Sequence, residues 1–327
     1  MPVSTPSAQA ARWSSLRLRQ SAHLRDLCAE TSFTTAHLVQ PIFVVEGLRS
    51  SEAIPGLDGN HRLGIDAALD AIGADVAAGV RHFLLFAVPA SPAAYGAFAA
   101  RAVEAIKRRF GSDIYLWVDI CLCSSTADGH CAISGPDRRI DLDATLAALE
   151  EMTLRIADAG ADGASPSDMM DGRTARLRSA LDGRGHGAVP IMSYSTKFAS
   201  RFYGPFRTAA GSAPKHGTRE HYQIDVRSRT DAIGSSVRCA NEGADLLMVK
   251  PGMTSIDLIA PIRDATGKLV GAYQVSGEYA ALCALGRDGL ADFNAALLET
   301  WQVFRRAGAA YIITYGARHA RAIGVSV

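Results

Sequence analysis

Two lysines stand at the ends of apolar stretches, where a buried strand would deliver an amine to a pocket. Lys197 follows the apolar run VPIM and the polar segment SYST, and Lys250 ends the run LLMV. Burial disfavours the charged form of a lysine, so such an amine titrates low and can attack a carbonyl carbon. A lysine that reaches from a strand end into water is the alternative for either residue taken alone. Two ammonium groups in one dry pocket would repel each other, so at least one of the two lysines should be neutral near pH 7. Such a pair of amines could form two Schiff bases, or one amine could activate the other.

Three cysteines form a cluster with metal-ligand spacing in the stretch VDICLCSSTADGHC. Cys121, Cys123 and Cys131 follow the pattern C-x-C-x7-C. Three thiolates suit zinc, and the lack of a fourth cysteine in this stretch leaves one coordination position open, as in catalytic zinc sites. A set of reduced thiols without metal is the alternative. His130 is either a further ligand or neighbour of the metal, or an exposed loop residue.

The segment from about residue 198 to 227 predicts a mobile cover over the two lysines. It begins with FASRFYGPFR, and it has no regular apolar spacing between Arg207 and Arg219. A long irregular loop on a catalytic face is usually a lid. The two guanidinium groups would offer bidentate contacts to a carboxylate, whereas solvated surface arginines are the alternative.

Short apolar stretches alternate with longer amphipathic ones from residue 38 onward, and this order predicts the elements that carry these groups. The predicted strands cover residues 38–45, 83–88, 114–120, 161–165, 189–194, 246–250, 269–275 and 310–315. The predicted helices cover residues 66–78, 92–110, 141–159, 169–181, 229–241, 255–265 and 290–307. Several of them end in glycine, in AAG, DAG, NEG and RAG, as expected of a helix C-terminus. The pattern predicts the α/β class and a (β/α)8 TIM barrel over residues 36–327.

The barrel prediction can be tested against the sequence, because catalytic groups in this fold lie just past the C-terminal ends of the strands. Polar or reactive side chains lie at the ends of six of the predicted strands or just past them: Asp119, Ser167 with Asp168, Lys197, Lys250, Ser276 and Tyr315. Such a placement predicts that side chains from six segments meet at one mouth of the barrel. Asp168 has a structural alternative, since it can cap the N-terminus of a helix.

Composition excludes several classes of function. The chain has 327 residues, 48% of them hydrophobic, and a formal net charge of +1, which argues against binding to nucleic acid or to a membrane surface. No apolar run reaches the roughly 18 residues of a membrane span, and the N-terminus lacks a secretory signal. Residues 1–35 are polar and basic and predict an N-terminal arm, with plain disorder as the alternative. Six cysteines with one cluster suit a reducing compartment and hence a cytoplasmic location.

Taken together, these motifs resemble the porphobilinogen synthase (5-aminolevulinate dehydratase) family in its zinc-dependent branch. The matching segments run along nearly the whole chain: LVQPIFVVEG, IPG, DICLCSSTADGHC, SPSDMMDGR, IMSYSTKFASRFYGPFR, YQID, EGADLLMVKPGM, AYQVSGEY and IITY. The resemblance implies a lyase of tetrapyrrole and heme biosynthesis that condenses two 5-aminolevulinate molecules into porphobilinogen with loss of two waters. It also implies a homo-octamer in which the arm embraces a neighbouring subunit.

The resemblance also implies a role for each site residue. Lys250 would hold the propionate-side substrate and Lys197 the acetate-side substrate, each as a Schiff base. The carboxylate clamps would be Arg207, Arg219 and Gln223 on the acetate side, and Ser276 and Tyr315 on the propionate side. The other matches are Asp119 and Ser167 in the acetate-side pocket, Cys121, Cys123 and Cys131 as zinc ligands, and Glu242 at a position that helps to bind an allosteric magnesium in some members.

Four departures from the family pattern leave a second function open. The loop VPASPAAYGAF is shorter than usual, and Gln40, Ala132 and Gly316 replace the residues common at their positions. These changes allow a paralogue that forms a pyrrole from a related amino ketone in another pathway. An aldolase-type lyase with one Schiff-base lysine would have no use for the three thiolates. A non-catalytic zinc-bound barrel would form no covalent adduct with substrate.

Overall fold

The computed structural model describes residues 19–91, 94–135 and 139–327 of the protein. The chain divides into a small unit that ends at Ser32 and a large unit, Phe33–Val327, and each is described by itself. In the small unit, helix α1 spans Ala22–Leu27 and is capped by Ser21, whose side chain accepts a hydrogen bond from the N–H group of Leu24. Much of the predicted arm lies outside the described residues, so its role in subunit contacts stays a prediction.

The large unit contains a closed ring of eight parallel strands, and two further short strands lie outside this ring. The strands of this unit are β1 (Leu38–Val45), β2 (Ser51–Ala53), β3 (His61–Leu63), β4 (His82–Val88), β5 (Tyr115–Ile120), β6 (Gly163–Pro166), β7 (Met192–Lys197), β8 (Leu246–Lys250), β9 (Leu269–Gln274) and β10 (Ile312–Thr314). The ring runs in the order β6-β5-β4-β1-β10-β9-β8-β7, with parallel pairing throughout. A parallel bridge between Ala164 and Ile191 joins β6 to β7. The predicted α/β barrel is therefore confirmed.

Helices alternate with the barrel strands. They are α2 (Ile65–Ala77), α3 (Tyr95–Phe110), α4 (Leu142–Asp158), α5 (Arg173–Gly183), α6 (Gly204–Ala209), α7 (Arg229–Asn241), α8 (Ile259–Thr266), α9 (Ser276–Arg287) and α10 (Phe293–Arg306). Each long helix buries one apolar stripe, for example Leu149 and Ile156 on α4 and Leu297 and Trp301 on α10. Within the described ranges, no helix combines the length and the apolar character needed to cross a bilayer.

Glycines end four of these helices, as the sequence predicts. Gly79, Gly160, Gly243 and Gly308 have φ angles of 98°, 92°, 99° and 98°. A β-carbon is unfavourable in this left-handed region, so glycine is the residue that turns the chain from the end of a helix toward the next strand. The glycines of AAG, DAG, NEG and RAG thus have the predicted structural role.

The structure differs from the sequence prediction at the strand that carries Lys197. The predicted strand, residues 189–194, ends before the lysine, whereas β7 continues through it. The register of β7 against β8 shifts between Ser193 and Thr196, and pairing then continues until Lys197 lies opposite Lys250. The segment SYST is polar but fully buried, so its sequence does not reveal that the strand extends.

Three further features differ from the predicted pattern. An antiparallel hairpin of β2 and β3 follows β1, and helix α9 follows β9. The helix predicted at residues 169–181 begins at Arg173, because the chain first makes a turn in which Met169 has a φ of 75°. A left-handed φ is unfavourable for a residue with a β-carbon, so tertiary contacts must hold this turn.

Candidate active site

Lys197 and Lys250 lie side by side at the C-terminal ends of neighbouring strands. They are paired residues of β7 and β8, and their exposed fractions are 5% and 4%. The amine of Lys250 lies 4.0 Å from the centre of the Tyr273 ring and 4.7 Å from that of Tyr194. Burial, and then the nearby Lys197, lower the pKa of Lys250 well below its usual value. The structure therefore brings both predicted lysines into one buried pocket, and it favours a neutral amine at Lys250.

The turn after β6 holds Lys197. The Lys197 amine donates a hydrogen bond to the carbonyl oxygen of Ser167. In the same turn, the buried Asp168 carboxylate accepts a hydrogen bond of 2.7 Å from the N–H group of Met170. The N-cap of α5 is Gly172, so Asp168 shapes the turn and does not cap a helix.

Asp168 forms a buried ion pair with Arg173 beneath this turn. Nε of Arg173 lies 3.7 Å from the carboxylate, and the exposed fractions of the two side chains are 1% and 0%. Arg173 also donates hydrogen bonds to the carbonyl oxygens of Met170, at 2.9 Å, and Tyr194, at 3.2 Å. Burial raises the pKa of Asp168 to about 6, although Arg173 acts to lower it. Arg173 thus ties the turn to β7, the strand of Lys197.

Replacing Arg173 with methionine is expected to destabilise the protein by about 3–5 kcal/mol at about pH 8, because the Asp168 carboxylate is left buried without its cation. The loss should be smaller at about pH 5. The folded-state pKa of Asp168, about 6, lies above that of an unfolded aspartate, so below it the carboxyl is protonated in the folded protein and needs no cation. Urea unfolding at both pH values measures the difference.

The matched control for this variant is Arg155→Met. Arg155 forms an exposed ion pair of 2.7 Å with Glu151 one helical turn away. Its loss should cost less than about 1 kcal/mol and should change little with pH. Equal destabilisation of the two variants would contradict the structural role assigned to the buried pair.

The three predicted zinc ligands come together after β5. The sulfur atoms of Cys121, Cys123 and Cys131 lie within 4.8 Å of one another, and all three residues are buried. In the described part of the chain, no other group of three His, Cys, Asp or Glu side chains has this spacing. The thiols of Cys121 and Cys123 donate hydrogen bonds to Cys131 and lower its pKa well below its usual value. The arrangement therefore already stabilises one thiolate.

The cysteine loop packs tightly against the lid segment. Gly129 has a φ of 75°, and a β-carbon there would lie 2.6 Å from the carbonyl oxygen of Ala213. The N–H group of Lys215 donates to the carbonyl oxygen of Asp128 at 2.9 Å, and Arg219 donates to that of Gly129 at 2.8 Å. Glycine is needed at position 129 because only its backbone fits this approach. The metal loop and the lid are thus connected.

His130 and Glu242 lie outside the cysteine cluster. His130 is 6% exposed, and its ring nitrogens face the Tyr222 hydroxyl at 3.2 Å and the carbonyl oxygen of His216 at 2.9 Å. It is therefore a buried neighbour of the cluster and not an exposed loop residue. Glu242 follows the C-terminus of α7 and belongs to no such three-ligand group within residues 19–91, 94–135 and 139–327. A magnesium site at Glu242 stays a prediction.

Arg207, Arg219 and Gln223 border the pocket from the lid. Nε of Arg207 and both amide atoms of Gln223 are buried and have no hydrogen-bond partner among the residues that the structure describes. Burial lowers the pKa of Arg207, and the neighbouring Arg219 lowers it further. Unpaired buried polar groups cost free energy, and two adjacent guanidiniums repel. Both costs would be relieved by an anion with several acceptor oxygens, such as a carboxylate.

Ser276 and Tyr315 lie on other elements around Lys250. Ser276 is the first residue of α9, and its hydroxyl accepts a hydrogen bond of 3.1 Å from the N–H group of Phe206 in the lid. Tyr315 follows β10, and its hydroxyl lies 3.2 Å from that of Tyr273, whose ring faces Lys250. Each of the two residues is thus connected to Lys250 through an aromatic residue, Phe206 or Tyr273, and neither lines the cavity that contains the lysines, so their role as a clamp stays a prediction.

Asp119 lines the same cavity as Lys197, Lys250 and Cys123. It is 6% exposed, and its Oδ1 atom has no hydrogen-bond partner within the described residues. Burial raises the pKa of Asp119 to about 6, whereas Lys197 and then Lys250 act to lower it. A carboxyl group poised in this range can accept or release a proton near neutral pH.

An enclosed cavity of 10 Å³ lies next to both lysines, Asp119 and the two lid arginines. Its lining consists of Asp119, Cys123, Ser167, Lys197, Tyr203, Phe206, Arg207, Arg219 and Lys250. A cavity of this size holds about one water, so an organic substrate can bind only after the lid segment moves. Arg207 and Arg219 also line an outer cavity of 220 Å³, and Gln223 lines this outer cavity but not the inner one. The two arginines therefore stand between the outer cavity and the lysines.

The aromatic side chains around Lys250 are site residues that the sequence pattern does not reveal. The ring centres of Tyr273, Tyr194, Phe206 and Tyr203 lie 4.0, 4.7, 5.1 and 5.5 Å from its amine. They exclude water from the amine and so lower its pKa. Tyr194 and Tyr273 lie three residues before Lys197 and Ser276, but aromatic residues near a strand end are also ordinary core residues.

Comparison with known proteins identifies the family of this chain. The family model for delta-aminolevulinic acid dehydratase matches residues 13–323. The chain is 39% identical to delta-aminolevulinic acid dehydratase of Helicobacter pylori over 312 residues, which cover 92% of this chain and 95% of the relative. It is 36% identical to the Bacillus subtilis enzyme of that name over 311 residues, which cover 93% and 95%.

A solved structure is similar over nearly the whole chain. It is delta-aminolevulinic acid dehydratase from Toxoplasma gondii in complex with the reaction product porphobilinogen, with a TM-score of 0.90 and 34% identity. The match covers 98% of this chain and 91% of the other. With this agreement in sequence and in fold, the chain belongs to the delta-aminolevulinic acid dehydratase family.

Proposed function

We propose that the protein is a zinc-dependent porphobilinogen synthase, which condenses two 5-aminolevulinate molecules into porphobilinogen with loss of two waters. The observation that carries this proposal is the pairing of Lys197 with Lys250 at the mouth of the barrel, in one cavity with Cys123. A single-lysine aldolase would need neither the second amine nor the thiols. Relatives from Helicobacter pylori and Bacillus subtilis with the corresponding name support the same reaction.

Each lysine would bind one substrate as a Schiff base. The neutral amine attacks the ketone carbon, and the resulting carbinolamine loses one water to form the imine. Lys250 is suited to the first step because burial favours its neutral form. The imine makes the adjacent carbon more acidic, and Asp119 lies in the same cavity with a pKa near 6, so it is the candidate to accept or return that proton.

Two sets of polar groups would bind the two substrate carboxylates. Arg207, Arg219 and Gln223 would hold the acetate-side substrate, which agrees with the unpaired atoms on Arg207 and Gln223. Ser276 and Tyr315 would hold the propionate-side substrate beside Lys250. Fixing two identical molecules in different orientations supplies the proximity that a condensation needs.

The donor set fits a zinc ion. Cys121, Cys123 and Cys131 would hold it, because three sulfur atoms within 4.8 Å of one another are the soft ligands that zinc prefers. Three thiolates and Zn²⁺ carry one net negative charge, and the neighbouring Arg219, whose pKa Cys131 acts to raise, would balance it. When bound, zinc polarises a carbonyl group or a water molecule.

Incubation with 5-aminolevulinate and subsequent borohydride reduction tests the proposal. We expect a pyrrole product in the untreated reaction and covalent adducts at Lys197 and Lys250 after reduction, each located by peptide mass spectrometry. Adducts without the pyrrole would indicate the alternative function, a paralogue with another amino ketone. If neither lysine is labelled, the barrel is a non-catalytic scaffold.

The remaining sequence predictions are retained as part of this proposal. A homo-octamer held by the N-terminal arm follows from the family resemblance, and sedimentation of the full chain measures it. The six cysteines, all within the described ranges, are free thiols, which supports a reducing cytoplasmic environment.

A further inference from the structure

Glu278 is a deeply buried carboxylate whose partners are backbone groups. It is 3% exposed, and within the described part of the chain it takes part in no ion pair. Its Oε1 atom accepts hydrogen bonds from the N–H groups of Met253, at 2.8 Å, and Thr254, at 3.2 Å. Its Oε2 atom accepts one of 2.9 Å from the N–H group of Val275. One side chain thus joins two loops that are more than twenty residues apart in the sequence.

The first of these loops follows Lys250 directly. Gly252 donates a hydrogen bond of 2.6 Å to the carbonyl oxygen of Tyr273, and a β-carbon at position 252 would lie 2.9 Å from the Phe304 ring. The loop is therefore packed without free space. Because Met253 lies three residues after Lys250, a shift of the bonds to Glu278 moves the strand end that carries the amine.

The second loop leads into Ser276 and the docking site of the lid. Val275 is the N-cap of α9, so Glu278 fixes the first turn of this helix. The lid contacts the same turn: Phe206 donates to the Ser276 hydroxyl at 3.1 Å, and Gly277 donates to the carbonyl oxygen of Phe202 at 2.8 Å. Glu278 therefore lies where the Lys250 loop, the helix start and the lid meet.

We propose that Glu278 is a positioning residue that holds Lys250 and Ser276 in the relative placement that the propionate-side substrate requires. The inference rests on the proposed function, because it assumes that Lys250 forms a Schiff base. Glu278 lines no part of the reaction cavity, so it acts through the loops and not on the substrate.

Both the charge and the length of the side chain matter for this role. The carboxylate accepts from three N–H groups at once, whereas glutamine would turn its own N–H₂ group toward one of these donors. Aspartate keeps the charge and can still cap α9, but it is one methylene too short to reach Met253 and Thr254 as well. Burial raises the pKa of Glu278 to about 7, so assays at about pH 8.5 keep the carboxylate ionised.

The test compares Glu278→Gln and Glu278→Asp with wild type in the full-length, zinc-loaded protein. The matched control is Glu299→Gln, because Glu299 is exposed on α10. Each protein is mixed with 5-aminolevulinate, reduced with borohydride at a series of times, and digested. Mass spectrometry then gives the rate of adduct formation at Lys250 and at Lys197 separately.

We expect both Glu278 variants to slow labelling of Lys250 by roughly 10- to 100-fold, the cost of a misplacement of about 1 Å, and to change labelling of Lys197 less than about twofold. A merely structural role would slow both lysines together, and this result would overturn the inference. Wild-type labelling of Lys250 in the variants would overturn it as well. If Glu278→Gln does not fold, Glu278→Asp carries the same comparison. Absence of any Lys250 adduct in the wild type would instead contradict the proposed function.

Discussion

Replacing Lys250 with methionine is expected to lower turnover by roughly 10⁴-fold or more, because the reaction loses the amine that holds one substrate. Methionine has a similar length and no charge, and it would fit among the rings of Tyr194, Tyr203, Phe206 and Tyr273. The variant therefore separates the chemistry of the amine from its packing. Pyrrole formation from 5-aminolevulinate measures the effect.

The same variant is expected to be as stable as the wild type or more stable. The folded-state pKa of Lys250 lies well below that of an unfolded lysine, so its burial costs stability at any pH below the unfolded value of about 10.4. Methionine removes this cost, because it carries no charge to bury. We expect the free energy of unfolding at about pH 7 to be equal to or higher than that of the wild type. Denaturant unfolding measures it.

A matched control for this prediction is Lys268→Met. Lys268 precedes β9 at the opposite end of the barrel from the two site lysines, so its loss should leave turnover within about twofold of wild type. A Lys250→Met variant that keeps a tenth of the wild-type turnover would show that the amine is dispensable. A variant that is inactive because it is unfolded would contradict the predicted stability.

The regular alternation of short apolar stretches with longer amphipathic stretches explains why the barrel was predictable from the sequence. Most barrel strands contain an apolar run and the long helices bury one stripe, so a local pattern identifies both, and the glycines after α2, α4, α7 and α10 mark the turns. The extension of β7 to Lys197 was not predictable in this way. Its residues Ser193 to Thr196 are buried but polar, and the register shift that places them depends on β8.

The residues of the candidate site were also predictable from a regular feature of the fold, whereas the residues that support them were not. In a barrel every strand ends at one mouth, so the residues that follow the strands converge without further information. The groups that hold them do not follow from that rule. Arg173 supports the turn that contacts Lys197, and Glu278 supports the loop after Lys250, through contacts across the fold that no local spacing indicates.

Replacing Cys131 with serine is expected to remove zinc and, with it, the activity. The neighbouring thiols lower the pKa of Cys131 well below its usual value, and its sulfur atom lies within 4.8 Å of the other two, so this residue is suited to act as a thiolate ligand. A serine hydroxyl is not ionised and is a poor zinc ligand at neutral pH. Loss of a residue that only hydrogen-bonds to a metal ligand lowers metal affinity by up to roughly 100-fold. Loss of the ligand itself should lower the zinc affinity by more than this. Metal analysis after dialysis measures the zinc content per chain.

The control for this variant is Cys28→Ser, since Cys28 is exposed and lies outside the cluster. We expect wild type and Cys28→Ser to retain one zinc ion per chain, to lose activity with a chelator, and to regain it with added zinc. Cys131→Ser should respond to neither treatment. If Cys131→Ser retains zinc and turnover, the three sulfur atoms are ordinary buried thiols, and the two lysines must perform the condensation without a metal ligand set.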